Sequence, residues 1–162
     1  MTAEAAVALA LVFLAGMSVG LQSALLGAIR MRRGVLGSTR ISYAGTLAGG
    51  AAILAVQGGA DRLHLLISAV AVGIALGLLI RGMPPAVAVV GLLGLFYITA
   101  TGNGVTKLGV GVTVAAVVAG QMFASLLLDA GGALGMARRS MTLPRAAGAV
   151  LLVAGVALIR LG

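Results

Sequence analysis

From Ala5 to Ile29 the chain carries no charged residue, a run of about 25 positions. A helix of that length spans the roughly 30 Å hydrocarbon core of a bilayer, which needs about 20 apolar residues. In lipid every backbone N–H and C=O must be satisfied internally, so a run of this kind is committed to helix. It begins Met-Thr-Ala-Glu with no basic residue ahead of the apolar stretch, and it exceeds the core of a signal peptide. The expectation is a retained transmembrane helix.

Five further apolar segments follow, at about Ile41–Val56, Leu63–Ile80, Pro85–Thr101, Leu108–Leu128 and Ala146–Ile159. The first and fifth of the six are long enough without help. The others are short, and arginine side chains such as Arg145 and Arg160 can extend them by snorkelling. Breaks are expected at Gln57–Arg62, at Arg81-Gly-Met-Pro-Pro85, at Gly102-Asn-Gly104 and before Pro144, because glycine and proline punctuate helices. The expectation is an all-α, polytopic transmembrane helix bundle forming a single domain over residues 1–162. It has about six helices, or five if Leu63–Ile80 does not span.

Composition excludes the water-soluble alternative. Hydrophobic residues make up 61% and charged residues 9%, against roughly 25% charged in an ordinary soluble domain. A net charge of +8 would point to nucleic acid in a soluble chain. Here the basic residues cluster between apolar runs, at Arg30, Arg32, Arg33 and Arg40 and again at Arg138, Arg139 and Arg145. Such clusters belong to cytoplasmic loops, not to a nucleic-acid face. With six spans, eight positive residues fall on one side and three on the other, which places both termini outside the cytoplasm. If the third segment does not span, the division becomes six against five, and the chain would insert both ways.

Glycine is abundant, at 26 residues, and supplies the pairs Gly16/Gly20, Gly45/Gly49, Gly73/Gly77 and Gly131/Gly135 at the Gly-x-x-x-Gly spacing. About four such pairs arise by chance at this glycine content, so the spacing alone names no interface.

Polar groups inside apolar spans are the candidates for function. Ser18 and Gln22 share the four-residue spacing of one helical face, as do Thr113, Val117, Gln121 and Ser125. Gln22 and Gln121 either line a polar substrate cavity or hydrogen-bond between helices. Asp129 is either a proton or cation site or an end-of-helix carboxylate near Arg138 and Arg139. No span has a carboxylate at its centre, so a transport cycle built on a mid-membrane glutamate has no residue to run on. Glu4 and Asp61 lie at segment ends. His64 is the only histidine, and cysteine is absent, so no nucleophile–base set or metal cluster can be assembled. No enzyme activity, metal or cofactor is expected. Gly102–Lys107 lacks the Gly-Lys-Ser/Thr ending of a phosphate loop.

The C-terminal half reads Val90-Gly-Leu-Leu-Gly-Leu-Phe-Tyr97, then Val118-Ala-Gly-Gln121-Met-Phe-Ala-Ser125-Leu-Leu-Leu-Asp129, then Gly148-x6-Gly155-Val. These motifs resemble the YdcZ-like family of small transporters in the drug/metabolite transporter (DMT) superfamily. Gly20-Leu-Gln22, Leu36-Gly-Ser38 and Ser42-Tyr43…Gly45-Thr46 fit the family more loosely. Members usually have asparagine where this chain has Leu26, and usually have five spans. The resemblance implies a half-transporter in a bacterial inner membrane, acting as a homodimer or with a paired homologous subunit, its two units antiparallel. Inverted repeats place a small-molecule site at their interface near the midplane. Candidate substrate-binding residues are then Gln22, Gln121, Ser18, Ser125, Thr113 and Tyr97, with Asp129 as a coupling group. A membrane scaffold without transport activity is the competing expectation.

Overall fold

The computed structural model describes residues 2–57, 86–135, 137–139 and 142–161. Among these the regular structure is entirely helical. Helix α1 (Ala3–Gln57) is two helical segments that meet at Gly34, the single non-helical residue inside it (φ 73°, ψ −179°). Helix α2 (Ala86–Leu108) follows the Pro84-Pro85 pair, and α3 (Val110–Gly131) begins after one intervening residue, Gly109. A single 3₁₀ turn (Ala133–Gly135) precedes α4 (Leu143–Leu161), which has Pro144 in its first turn, where a missing N–H costs nothing.

Three stretches are long and apolar enough to cross a membrane: Ala3–Ala51, Val89–Leu108 and Val110–Gly131. Leu143–Ile159 is a shorter apolar helix. The expected count of about six helices is not confirmed: four helices lie among the described residues, the first of them two segments joined at Gly34. The expected span Leu63–Ile80 lies outside them.

The expected division between the first two apolar segments falls at Gly34, and the arginine-bearing stretch on either side of it is helix. Charge marks where a helix leaves the hydrocarbon, but arginine is a good helix former and does not end one. Likewise, Gly102-Asn-Gly104 stays helical, and Asn103 Nδ2 donates to the Thr99 carbonyl one turn back at 2.9 Å. The chain breaks at Gly109 instead, where φ is +80°. At Gly34 and Gly109 the backbone sits in an extended, positive-φ region that a Cβ disfavours.

The contacts divide the chain into two compact units. The first comprises Met1–Ala24 and Phe96–Gly162. Its core is Val12, Ala116 and Val117, with Leu9, Tyr97, Leu108 and Val156 packed against them. Here α1 and α3 cross almost backbone to backbone. A Cβ on Gly16 would collide with the Val117 carbonyl, and one on Gly120 would collide with the Phe13 carbonyl oxygen and lie 2.9 Å from the Met17 nitrogen. A Cβ on Gly20 would lie 2.9 Å from that of Ala124. Phe13 and Phe123 flank the crossing with ring centroids 5.9 Å apart.

The second unit, Leu25–Leu95, centres on Ile41 and Ala44 with Leu26 and Ile29 against them. It uses the same device: a Cβ on Gly91 would lie 2.7 Å from the Gly45 carbonyl oxygen, and one on Gly49 would lie 3.0 Å from that of Gly91. Two of the four Gly-x-x-x-Gly pairs thus mark helix crossings, which their spacing alone did not name. Around Gly131 and Gly135 no atom lies close enough for a Cβ to meet, and Gly73/Gly77 lies outside the described residues.

Glycine substitutions should therefore separate by context in thermal unfolding of the purified protein. Gly120→Ala puts a methyl against backbone that cannot step aside, an overpacking cost of about 1–3 kcal/mol. Gly27→Ala, with nothing within 4 Å, should be neutral or stabilising by up to about 1 kcal/mol through helix propensity. Gly34→Ala, equally open, should still destabilise by about 1–3 kcal/mol because of its backbone conformation.

Candidate functional site

The polar residues of the first unit sit on α1, on α3 and on the Phe96–Leu108 part of α2. The structure sorts them by how far each has turned from the α1–α3 crossing. Four residues make about 400° of helix, so a line drawn through every fourth residue drifts by about 40° per step. Along α3 that drift carries Thr113, Val117, Gln121 and Ser125 from the buried face to an open one.

Thr113 is 2% exposed. Its Oγ1 donates to the Gly109 carbonyl at 2.8 Å, and it packs against Gly104, where an added Cβ would be 3.2 Å from the threonine side chain. Gln121 is half-buried, its backbone beside Gly20, and its side-chain amide has no hydrogen-bond partner among the described residues. Ser125 is exposed and donates to the Met122 carbonyl at 2.8 Å.

On α1, Ser18 is buried and donates to the Ala15 carbonyl at 2.7 Å. Gln22 is half-buried. It stands two positions beyond Gly20 and so projects about 200° around the helix from the side that meets α3. Its Cα–Cβ direction thus differs from that of a Cβ placed on Gly20, which would meet Gln121 and Ala124 of α3. Tyr97 lies half-buried against the Val12–Ala116–Val117 core. Thr113, Ser18 and Tyr97 are thus packed inside the unit, while Gln121 and Ser125 share an open stripe of α3 with Val110, Val114 and Val118, which are 63, 55 and 42% exposed.

Asp129 stands at the C-terminal end of α3. Its carboxylate pairs with the Arg145 guanidinium of α4 at 3.2 Å, both side chains about one-third exposed. Arg138 and Arg139, the neighbours expected from sequence, address the backbone instead. Arg138 Nε donates to the Ala130 carbonyl at 2.8 Å, and the Arg139 N–H donates to the Asp129 carbonyl at 2.9 Å. Gly132, left-handed at φ 60°, closes the helix. Donors at this end satisfy terminal carbonyls and oppose the negative pole of the helix dipole.

Two recesses escaped the sequence reading. One, about 440 Å³, lies between the start of α1 and the end of α2, with Glu4, Asn103 and Lys107 over an apolar floor of Val7, Leu11 and Ala100. Lys107 Nζ and Glu4 Oε2 are 3.7 Å apart there. The other, about 880 Å³, is lined by apolar residues and runs between α1, α3 and α4 past Leu9, Phe13, Ala116, Ala119, Val153 and Val156. The residues of each recess lie about a hundred positions apart in the chain, and no local pattern announces such pairings. Among the described residues no three of His, Asp or Glu gather as metal ligands. His64 lies outside those residues.

Long apolar helices joined at glycine contacts, with uncharged polar groups in the spans and ion pairs at helix ends, define a small all-helical membrane protein. Residues 7–158 match the family model described as "Putative inner membrane exporter, YdcZ", and the chain belongs to this family of the DMT superfamily. That description is of a transporter family rather than an enzyme family. No curated protein and no solved structure matches the chain significantly.

The Asp129–Arg145 pair, partly exposed, should contribute about 1 kcal/mol or less. Asp129→Asn and Arg145→Gln should each lower thermal stability by that amount, and the double variant should be no worse than the poorer single one. A double-mutant cycle on the purified protein measures this.

Proposed function

We propose that the chain is one half of an inner-membrane exporter for a small, largely uncharged solute, and that it works as an antiparallel dimer by alternating access. Membership of an exporter family supports export. The observation that carries the site is the amide of Gln121, which stands midway along α3 on an open stripe of valines with no partner among the described residues. An amide left unpaired in hydrocarbon costs on the order of several kcal/mol. A solute, or the facing subunit between transport events, removes that cost. Ser125 lies one turn further along the same stripe, and Gln22 supplies a second amide from α1. Ser18, Thr113 and Tyr97 hold the wall from behind. The absence of charge along the stripe favours a solute whose own charge is small, since a bare ion would find no counter-charge there. Asp129 enters as the coupling group: a proton taken by its carboxylate releases Arg145 and frees the joint between α3 and α4.

The test uses liposomes reconstituted with purified protein and a solute selected by ligand-dependent thermal stabilisation. Gln121→Leu should reduce flux at least tenfold, Gln121→Asn should retain part of it, and Thr113→Val should transport within about twofold of the parent. Parental flux in Gln121→Leu would remove Gln121 from the cavity. In the same vesicles, Asp129→Asn should lose the dependence of flux on an imposed pH gradient. Single cysteines are simple to place in this cysteine-free chain, and one at Val114 should crosslink between subunits if the stripe faces a partner.

A further inference from the structure

The corner of α1 at Gly34 belongs to the second unit and takes no part in the proposed solute path. The helical segment that leads to it runs from Ala3 to Arg33, about 46 Å at 1.5 Å per residue, against a hydrocarbon core of about 30 Å. The excess lies at the arginine end, because the uncharged run stops at Ile29. Arg30, Arg32 and Arg33 then follow within one turn, projecting about 200° and 300° around the helix from the first of them. Arg40 follows on the next segment. All four are exposed. Large apolar side chains stand among them, also exposed: Met31 at 63%, Val35 at 53% and Leu36 at 73%.

Such interleaving suits neither water nor hydrocarbon alone. It suits the headgroup layer, where aliphatic groups reach toward the acyl boundary and guanidiniums meet phosphate. The chain has too few carboxylates to meet this demand. Of its three acidic side chains, Glu4 pairs with Lys107 and Asp129 with Arg145, and Asp61, which lies outside the described residues, carries one charge against four guanidiniums. Guanidinium forks bind phosphate oxygens well, and basic residues beside a span attract anionic lipid at about 1 kcal/mol each, or roughly fivefold per residue.

We infer that the Arg30–Arg40 corner is a docking surface for anionic phospholipid headgroups, holding phosphatidylglycerol-type lipid at the end of the first span. Met31, Val35 and Leu36 rest on the acyl boundary beneath the headgroups, and Gly34 supplies the bend between the two segments.

Native mass spectrometry of the full-length protein, released from mixed phosphatidylglycerol and phosphatidylcholine, tests this. Phosphatidylglycerol should be retained in preference, and the preference should collapse at 0.5 M NaCl. Replacing Arg30, Arg32 and Arg40 together by Gln should weaken retention by at least tenfold, while replacement by Lys should keep it within a few-fold. Lys107→Gln, which removes a lysine of the first unit paired with Glu4, should leave it unchanged. Should the Gln variant fail to fold, the salt dependence and the Lys variant decide. Equal retention of both lipids, insensitivity to salt, a preference that survives in a folded Gln variant, or displacement of the lipid by millimolar inorganic phosphate would each overturn the inference.

Discussion

Apolar helices gain nothing from hydrophobicity by meeting one another in lipid, because the tails they leave are as apolar as the partners they find. What remains is close contact, and dispersion falls away within about an ångström of gap. The approach of α1 to α3 at Gly16, Gly20 and Gly120 is therefore the condition on which the first unit rests. There the carbonyls of Val117 and Phe13 occupy the space that a side chain would need. Burial of Val12 and Ala15, the seat of Tyr97 and the placing of Gln121 beside Gly20 all follow from it. The second unit meets the same condition with Gly45, Gly49 and Gly91.

The helices themselves were legible, since long uncharged runs in lipid leave the backbone no alternative. The run from Ala5 to Ile29 falls inside α1, that from Pro85 to Thr101 overlaps α2, and that from Leu108 to Leu128 overlaps α3. Their ends were less legible. Polarity shows where a chain meets water, whereas a helix ends where a residue leaves helical dihedrals, and these are different properties. The four arginines from Arg30 to Arg40 sit in helix, and the breaks fall at the glycines Gly34 and Gly109. Among 26 glycines, composition could not single out the few whose backbone is left-handed or whose missing Cβ admits a neighbour. Those facts belong to tertiary structure.

The site was legible in kind and less so in arrangement. Uncharged amides and hydroxyls were identifiable as the rare polar groups of the spans. The spacing rule that joined Thr113 to Ser125 holds for neighbours one turn apart. Over three turns the drift amounts to about a third of the circumference, enough to carry one end into the core and leave the other open. Asp129 lies at a helix end, and its partner comes from α4: Arg145 stands in the first turn of the next helix, while the Arg138 guanidinium is held by the Ala130 carbonyl.

Gly109 alone separates α2 from α3, and it is bonded to both: its N–H donates to the Val105 carbonyl, and its carbonyl accepts from the Thr113 N–H. A link of one residue has no slack, so the end of α2 and the start of α3 stay adjacent where they join. The connection from α3 to α4 is about a dozen residues long and is tied back to the end of α3 through Arg138 and Arg139. Helix α4 is therefore anchored at the same end of α3 as the Asp129–Arg145 pair, while the large apolar recess runs along its other contacts with α1 and α3.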